Sequence, residues 1–226
     1  MGPMARHLLF LLLFAGQATA QDDPSEWRRI GLAHISANRL AEAEPALLRA
    51  CQLEQPPVDS CYFLARNRHA LGQFERAREA FDLALAAPSA RVHRAAGLNY
   101  LALGRDADAE LHLRRAVAIG PLTPDDPRVD LGAFLFRQGR LPEAATLLKQ
   151  AAKADSPRAH LELGRVLLQQ GNLELAAYHL EQAARRNPAD PNAHLLLARA
   201  YQRLGRDADA ARELALGEQQ RRRKRP

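Results

Sequence analysis

Apolar and polar residues follow a helical period along most of this 226-residue chain, and the pattern breaks at nearly constant intervals. The breaks divide the chain into six segments, which begin at Pro24, Val58, Ala90, Asp125, Pro157 and Pro191. Their starting residues are 34, 32, 35, 32 and 34 positions apart. Each segment contains two helical stretches separated by a Gly or an Asn. The seven-residue sequence Leu103–Ala109 recurs identically as Leu204–Ala210. The pattern therefore predicts six helical hairpins.

Several positions of the repeat hold the same type of residue in every unit, for reasons of packing or backbone conformation. The eighth position is always small, which lets the two helices approach closely: Gly31, Ala65, Gly97, Gly132, Gly164 and Ala198. The fifteenth position tolerates positive φ and ends the first helix: Asn38, Gly72, Gly104, Gly139, Gly171 and Gly205. The twentieth is Ala43, Ala77, Ala109, Ala144, Ala176 and Ala210. The twenty-fourth is large and apolar, and is expected to fill the space between helices: Leu47, Phe81, Leu113, Leu148, Leu180 and Leu214.

The repeat resembles the tetratricopeptide repeat, whose signature places Trp, Leu, Gly and Tyr in the first helix and Pro near the end. Matching residues are Trp27, Ile30 and Gly31 in the first unit, Tyr100 in the third, and Leu197 and Tyr201 in the last, with Pro121 and Pro188 near unit ends. The resemblance implies an all-α, right-handed solenoid that binds other proteins in a concave groove. The units are expected at about 24–57, 58–89, 90–124, 125–156, 157–190 and 191–220.

The N-terminus has the layout of a secretory signal peptide. Basic Arg6 precedes an apolar run ending at Phe14, and a small-residue cleavage pattern ends at Ala20. The alternative, an uncleaved membrane anchor, needs about 20 apolar residues, and this run is far shorter. The residue directly after the cleavage point is Gln21 and not a cysteine, so a lipoprotein is not predicted. We therefore predict removal of residues 1–20 and a periplasmic or secreted protein.

Two cysteines occur, Cys51 and Cys61. In an oxidising compartment a close pair is a disulfide candidate. Two buried thiols remain the alternative at this point.

The sequence offers little catalytic chemistry. His160, His194 and His34 occupy packing positions of the repeat, and no metal-binding spacing of His or Cys occurs. Every Gly is explained by the repeat, so no phosphate-binding Gly-rich loop is predicted, and no Ser nucleophile motif is present. We predict no catalytic residue, no metal and no cofactor, and hence a protein that is not an enzyme.

Arginine dominates the positions that line the groove in proteins with this repeat. These positions hold Arg28, Arg66, Arg91, Arg94, Arg158, Arg165 and Arg199, whereas the acidic residues there are Asp59 and Asp126. Because a guanidinium binds carboxylates with a fixed fork of donors, we expect the groove to bind an acidic partner segment or a C-terminus. The alternative is an ordinary solvated helix face.

A basic segment, residues 221–226, ends the chain and is predicted to be a disordered tail. The function predicted is that of a non-catalytic scaffold or adaptor for protein partners in the bacterial cell envelope. The alternative is an envelope protein held to anionic lipid or polymer by this tail. The signal peptide argues against nucleic acid as the partner, and the oligomeric state stays open.

Overall fold

The computed structural model describes residues 23–120 and 126–223, and these residues form twelve α-helices. The predicted signal peptide and residues 224–226 of the predicted tail lie outside the described residues. The helices are α1 (Pro24–Ser36), α2 (Leu40–Leu53), α3 (Asp59–Ala70), α4 (Phe74–Ala84), α5 (Ala90–Ala102), α6 (Asp106–Ile119), α7 (Pro127–Arg137), α8 (Leu141–Ala152), α9 (Pro157–Gln170), α10 (Leu173–Arg186), α11 (Pro191–Arg203) and α12 (Asp207–Arg223). Consecutive helices pair into six hairpins, with α5 packed on α6 where Gly97 meets Leu113, which confirms the all-α hairpin fold.

The chain divides into two compact units. Of the described residues, unit 1 comprises 23–88 together with Ala102–Gly104, and contains hairpins α1/α2 and α3/α4. Unit 2 comprises Ser89–Leu101 and the described residues 105–120 and 126–223, and contains the remaining four hairpins. Within unit 2 one continuous apolar core runs from Leu113 to Ala210.

The turn inside each hairpin has the predicted left-handed residue. At the fifteenth position φ is 57° for Asn38, and it lies between 69° and 81° for the five glycines. A residue with a Cβ is disfavoured at positive φ, and Asn tolerates this conformation better than most other residues do. The first helix of every hairpin therefore ends where the sequence predicts.

The two helices of a hairpin are held together by a Gly–Leu contact that the repeat preserves. A Cβ on Gly164 would lie 2.5 Å from Leu180 Cγ, and a Cβ on Gly132 would lie 2.6 Å from Leu148 Cγ. Both leucines are fully buried. The residue at the eighth position is therefore small, because the branched end of the leucine at the twenty-fourth position fills the space that a larger side chain would need.

The last hairpin departs from this rule. Leu214 was expected to fill the space between helices, but it is 40% exposed. No described helix follows α12, whereas the corresponding Leu180 on α10, which α11 follows, is fully buried. A different close contact occurs instead, since a Cβ on Gly217 would lie 2.9 Å from Leu195 Cγ.

The final helix is longer than predicted. We expected the solenoid to end near residue 220 and a disordered tail to begin at 221, yet α12 continues to Arg223. Arginine is a good helix former, and cations in the last turn interact favourably with the helix dipole. The expectation of disorder from residue 221 was therefore wrong for Arg221–Arg223.

Unit 1 contains a disulfide bond between Cys51 and Cys61, whose Cα atoms lie 4.6 Å apart. Cys51 is near the end of α2 and Cys61 near the start of α3, and both are buried. The bond fixes the connection between the two hairpins of this unit.

Candidate functional site

The predicted groove arginines divide between the two units, Arg28 and Arg66 in unit 1 and the other five in unit 2. In unit 1, Arg28 binds the carboxylate of Glu54, and its Nη1 atom also donates to Ser60 Oγ at 3.2 Å. Glu54 Oε2 also accepts from the backbone N–H of Ser60 at 2.7 Å. Arg28 therefore joins the ends of α1, α2 and α3, and its charge is compensated within the fold.

In unit 2, Asp130 of α7 lies between two of the predicted arginines. Arg94 Nε donates to Asp130 Oδ2 at 2.5 Å, and Arg158 Nη2 donates to Asp130 Oδ1 at 2.5 Å. The Asp130 side chain is 1% exposed, whereas that of Arg158 is 50% exposed. A buried carboxylate thus positions two guanidinium groups from α5 and α9 beside α7.

A second carboxylate, Glu162 of α9, lies close to this cluster. Its Oε2 atom is 3.1 Å from Arg165 Nη1, and Arg165 lies over the ring of Phe136, with 5.9 Å from Cζ to the ring centroid. Burial raises the pKa of Glu162, and the neighbouring Arg165 and Arg158 oppose that rise. Arg137 also acts electrostatically on this carboxylate, so α7 and α9 contribute to one charged cluster.

Two further predicted arginines, Arg91 and Arg199, are exposed. Arg91 precedes Arg94 by one helical turn on α5, and Arg199 on α11 occupies the repeat position that Arg165 occupies on α9. We call the resulting surface of unit 2 the arginine face, and define it as Arg91, Arg94, Arg137, Arg158, Arg165 and Arg199.

Charge in unit 2 is distributed unequally between the first and second helices of its hairpins. The first helices α5, α7, α9 and α11 carry eight arginines and two carboxylates, a net charge of +6. The second helices α6, α8, α10 and α12 carry nine basic and ten acidic residues, a net charge of −1. The positive charge of unit 2 is therefore concentrated on the helices that present the arginine face.

The carboxylates at this surface differ from those that the sequence predicts. Asp126, expected among the groove residues, caps α7 by accepting from the backbone N–H of Arg128 at 2.9 Å. Asp130 and Glu162 take its place, both at the sixth position of their repeats, which was not counted as inward-facing. Of the two, only Glu162 had a signal in the sequence, its spacing of three residues from Arg165.

The histidines pair across their hairpins in a way that the sequence did not reveal. The Nδ1 atoms of His93 and His112 lie 3.1 Å apart, and those of His160 and His179 lie 2.9 Å apart. His194 pairs instead with Glu213, with 2.7 Å between Nδ1 and Oε2. The prediction that His160 and His194 are packing residues agrees with their burial. Each pair joins the fourth and twenty-third positions of one hairpin.

Within residues 23–120 and 126–223, no group of three or more His, Cys, Asp or Glu side chains could hold a metal ion. In the same ranges no helix is long and apolar enough to cross a membrane.

Comparison with known proteins identifies the repeat. Family models described as tetratricopeptide repeat match residues 63–127, 130–191 and 167–225. No curated protein matches the sequence. Among solved structures, PilW, a widely conserved type IV pilus biogenesis factor, is 21% identical with a TM-score of 0.74, and the match covers 85% of this chain and 90% of PilW.

Two further structures have the same fold. PilF of Pseudomonas aeruginosa is 19% identical with a TM-score of 0.75, covering 89% of this chain and 91% of PilF. YrrB, a tetratricopeptide repeat protein with an unusual peptide-binding site, is 19% identical with a TM-score of 0.61, covering 77% of this chain and 92% of YrrB. At these identities the likeness concerns the fold.

Proposed function

Because the chain belongs to the tetratricopeptide repeat family, we propose that it is a non-catalytic scaffold of the bacterial cell envelope that binds an acidic segment of a partner protein on the arginine face. Proteins of this repeat family typically act as scaffolds in protein–protein interaction. The observation that carries the proposal is the concentration of charge in unit 2, +6 on the first helices against −1 on the second.

The arginine face combines fixed and accessible guanidinium groups. Arg94 is held against the buried Asp130 and is 18% exposed, so it contributes positive potential more than direct contact. Arg158 has the same carboxylate partner but remains half exposed, and Arg91, Arg137 and Arg199 are exposed. Arginine forks bind carboxylates with two parallel N–H donors, and clustered positive charge accelerates the association of an acidic partner. An acidic segment is therefore the chemistry that suits this surface.

Assignment to the cell envelope rests on two observations. The N-terminal residues have the composition of a signal peptide, with cleavage expected after Ala20. In addition, the fold is shared with PilW, described as a type IV pilus biogenesis factor, and with PilF. Both observations support a scaffold that takes part in assembly at the cell surface.

The test is the affinity of a fluorescein-labelled peptide of alternating Glu and Ser, measured by fluorescence anisotropy. The variant combines Arg91→Glu and Arg199→Glu, two exposed positions of the arginine face. Arg94 is not a suitable position, because replacing it would leave a buried carboxylate short of a partner and destabilise the fold. We expect the double variant to lose at least about tenfold in affinity, a loss that shrinks as salt increases.

A matched control has the same change of net charge on the second helices of unit 2. Arg115 of α6 and Arg185 of α10 are exposed, and the control combines Arg115→Glu with Arg185→Glu. The proposal predicts that this control retains most of the affinity. Equal loss in both variants would show that the peptide responds only to overall charge, and the arginine face would then be refuted as the binding site.

A further inference from the structure

One side of α12, the last described helix, is exposed where the corresponding side of the preceding second helix is buried. That helix, α10, packs against both α9 and α11. Its residues at the twenty-first, twenty-fourth and twenty-eighth repeat positions are buried: Ala177, Leu180 and Ala184. At the same positions α12 has exposed residues: Ala211, Leu214 and Glu218.

Opposite charges lie at the two ends of this exposed side. Asp207 lies seven residues before Leu214, and Arg221 lies seven residues after it. Because seven residues make almost two full helical turns, the three side chains project from one side of the helix. All three are exposed, and within residues 23–120 and 126–223 neither Asp207 nor Arg221 has an ion-pair partner. We call Asp207, Ala211, Leu214, Glu218 and Arg221 the outer face of α12.

An antiparallel pair of α12 helices, one from each of two copies of the chain, would match these charges. With a two-fold axis beside Leu214, this side chain contacts Leu214 of the partner subunit, and Asp207 lies opposite Arg221 of the partner subunit. The symmetry generates the Asp207 contact twice, about 10 Å on either side of the axis. Ala211 is small and lets the two helices approach closely. Antiparallel helices also bring opposite ends of their dipoles together.

The first described helix, α1, is poorly suited to cover α12 in a head-to-tail stack of copies. On α11, which packs against α10, the third, sixth and tenth repeat positions are apolar: Ala193, Leu196 and Ala200. At the same positions α1 has Glu26, Arg29 and Ala33. Glu26 and Arg29 form an exposed ion pair, with 2.6 Å between Oε1 and Nη2. A head-to-tail contact would remove this ion pair from water, whereas a symmetric pair of α12 helices leaves it exposed.

From these observations we infer that α12 is a self-association surface, through which two copies of the protein form an antiparallel, two-fold symmetric dimer. Leu214 lies at the centre of the interface, and the pairs of Asp207 and Arg221 lie at its two ends. One helix from each subunit buries less area than a standard interface, so we expect a dissociation constant on the order of 10–100 µM. The inference goes beyond the proposed function, because α12 is not part of the arginine face and would pair even if that face bound nothing.

The first test compares two leucines of α12 that are almost equally exposed. Leu214 is 40% exposed and Leu216 is 41% exposed, but their side chains point about 160° apart around the helix. Self-association of the full chain is measured by sedimentation velocity at low salt, from about 5 to 500 µM protein. We expect a monomer–dimer equilibrium for the wild type. Leu214→Glu places two like charges beside the axis and should weaken dimerisation at least about tenfold, whereas Leu216→Glu should leave it unchanged.

The second test exchanges the charges at the ends of the outer face. Asp207→Arg places a like charge opposite Arg221, and Arg221→Asp places one opposite Asp207, so each variant alone should dimerise at least about tenfold more weakly than the wild type. In an equimolar mixture the two variants are complementary, and dimers should form with about the wild-type affinity. Overall charge cannot produce this recovery, because each substitution changes the net charge of +6 by only two units and both variants stay positive.

Four results would overturn the inference. They are a wild-type chain that stays monomeric over the whole concentration range, species larger than a dimer, equal behaviour of Leu214→Glu and Leu216→Glu, and a mixture of the two charge variants that associates no better than each variant alone.

Discussion

Substitution of Gly164 by Ala tests the packing rule that holds each hairpin together. The new Cβ would lie 2.5 Å from Cγ and 2.8 Å from Cδ2 of Leu180. Carbon atoms in contact prefer about 3.5–4.0 Å, so the overlap exceeds what small adjustments relieve. Leu180 is fully buried and has no free space to move into. The substitution must therefore displace the leucine or separate α9 from α10.

The expected magnitude combines two opposing effects. Overpacking a buried contact costs about 1–3 kcal/mol, and the close approach here places Gly164→Ala near the upper end. Replacing a helical glycine by alanine returns about 1 kcal/mol through helix propensity. We therefore expect a net destabilisation of about 2 kcal/mol. When Leu180→Ala is already present the overlap is removed, and Gly164→Ala should stabilise by about 1 kcal/mol.

The assay is urea-induced unfolding followed by far-UV circular dichroism for the wild type, both single variants and the double variant. The four free energies of unfolding form a double-mutant cycle with an expected coupling of about 3 kcal/mol between the two positions. Leu180→Ala alone should cost about 2–5 kcal/mol, because it leaves a cavity in the core. If Gly164→Ala destabilised the protein equally in both backgrounds, the Gly–Leu contact would not be the reason for the small eighth position.

Three other properties can be measured directly. Burial, and after it the charge of a neighbouring histidine, lowers the pKa of His93 and of His179 from 6.5 to about 4. Because these folded-state pKa values lie below the unfolded one, the free energy of unfolding is highest above pH 6.5 and falls by a few kcal/mol as the pH is lowered towards 4. Urea unfolding across that pH range should show the decrease. The disulfide bond between Cys51 and Cys61 closes a loop with a sequence separation of 10, so its reduction should lower the free energy of unfolding by about 3 kcal/mol. In a variant with both cysteines replaced by serine, reductant should leave the free energy of unfolding unchanged. Mass spectrometry of the protein from its own cells should show a chain that begins at Gln21, and an unprocessed N-terminus would contradict the predicted signal peptide.

The hairpin fold could be predicted from the sequence because its determinants are local and repeated. A residue that must adopt positive φ, such as Asn38 with φ of 57°, leaves a recognisable signature at a fixed spacing. The Gly164–Leu180 contact likewise recurs at the same separation in several hairpins. The prediction fails at Leu214 of the last hairpin, which is exposed and which is followed by no described helix beyond α12.

The arrangement of charges could be predicted only in part. The arginines were located by their repeat positions, but the pairing of Arg94 and Arg158 with Asp130 joins residues 36 and 28 positions apart. Such pairs depend on how neighbouring hairpins pack, and composition carries no signal for them.

The central claim is that the first helices of unit 2 bind a partner protein in the cell envelope. The most direct measurement is site-specific photo-crosslinking in cells that naturally produce the protein, with a photoreactive amino acid at Arg199 on α11 or at Arg185 on α10. The account predicts one defined crosslinked protein from the Arg199 position, in the envelope fraction, that is absent from the Arg185 position. Identical products from both positions, or none from Arg199, would contradict it.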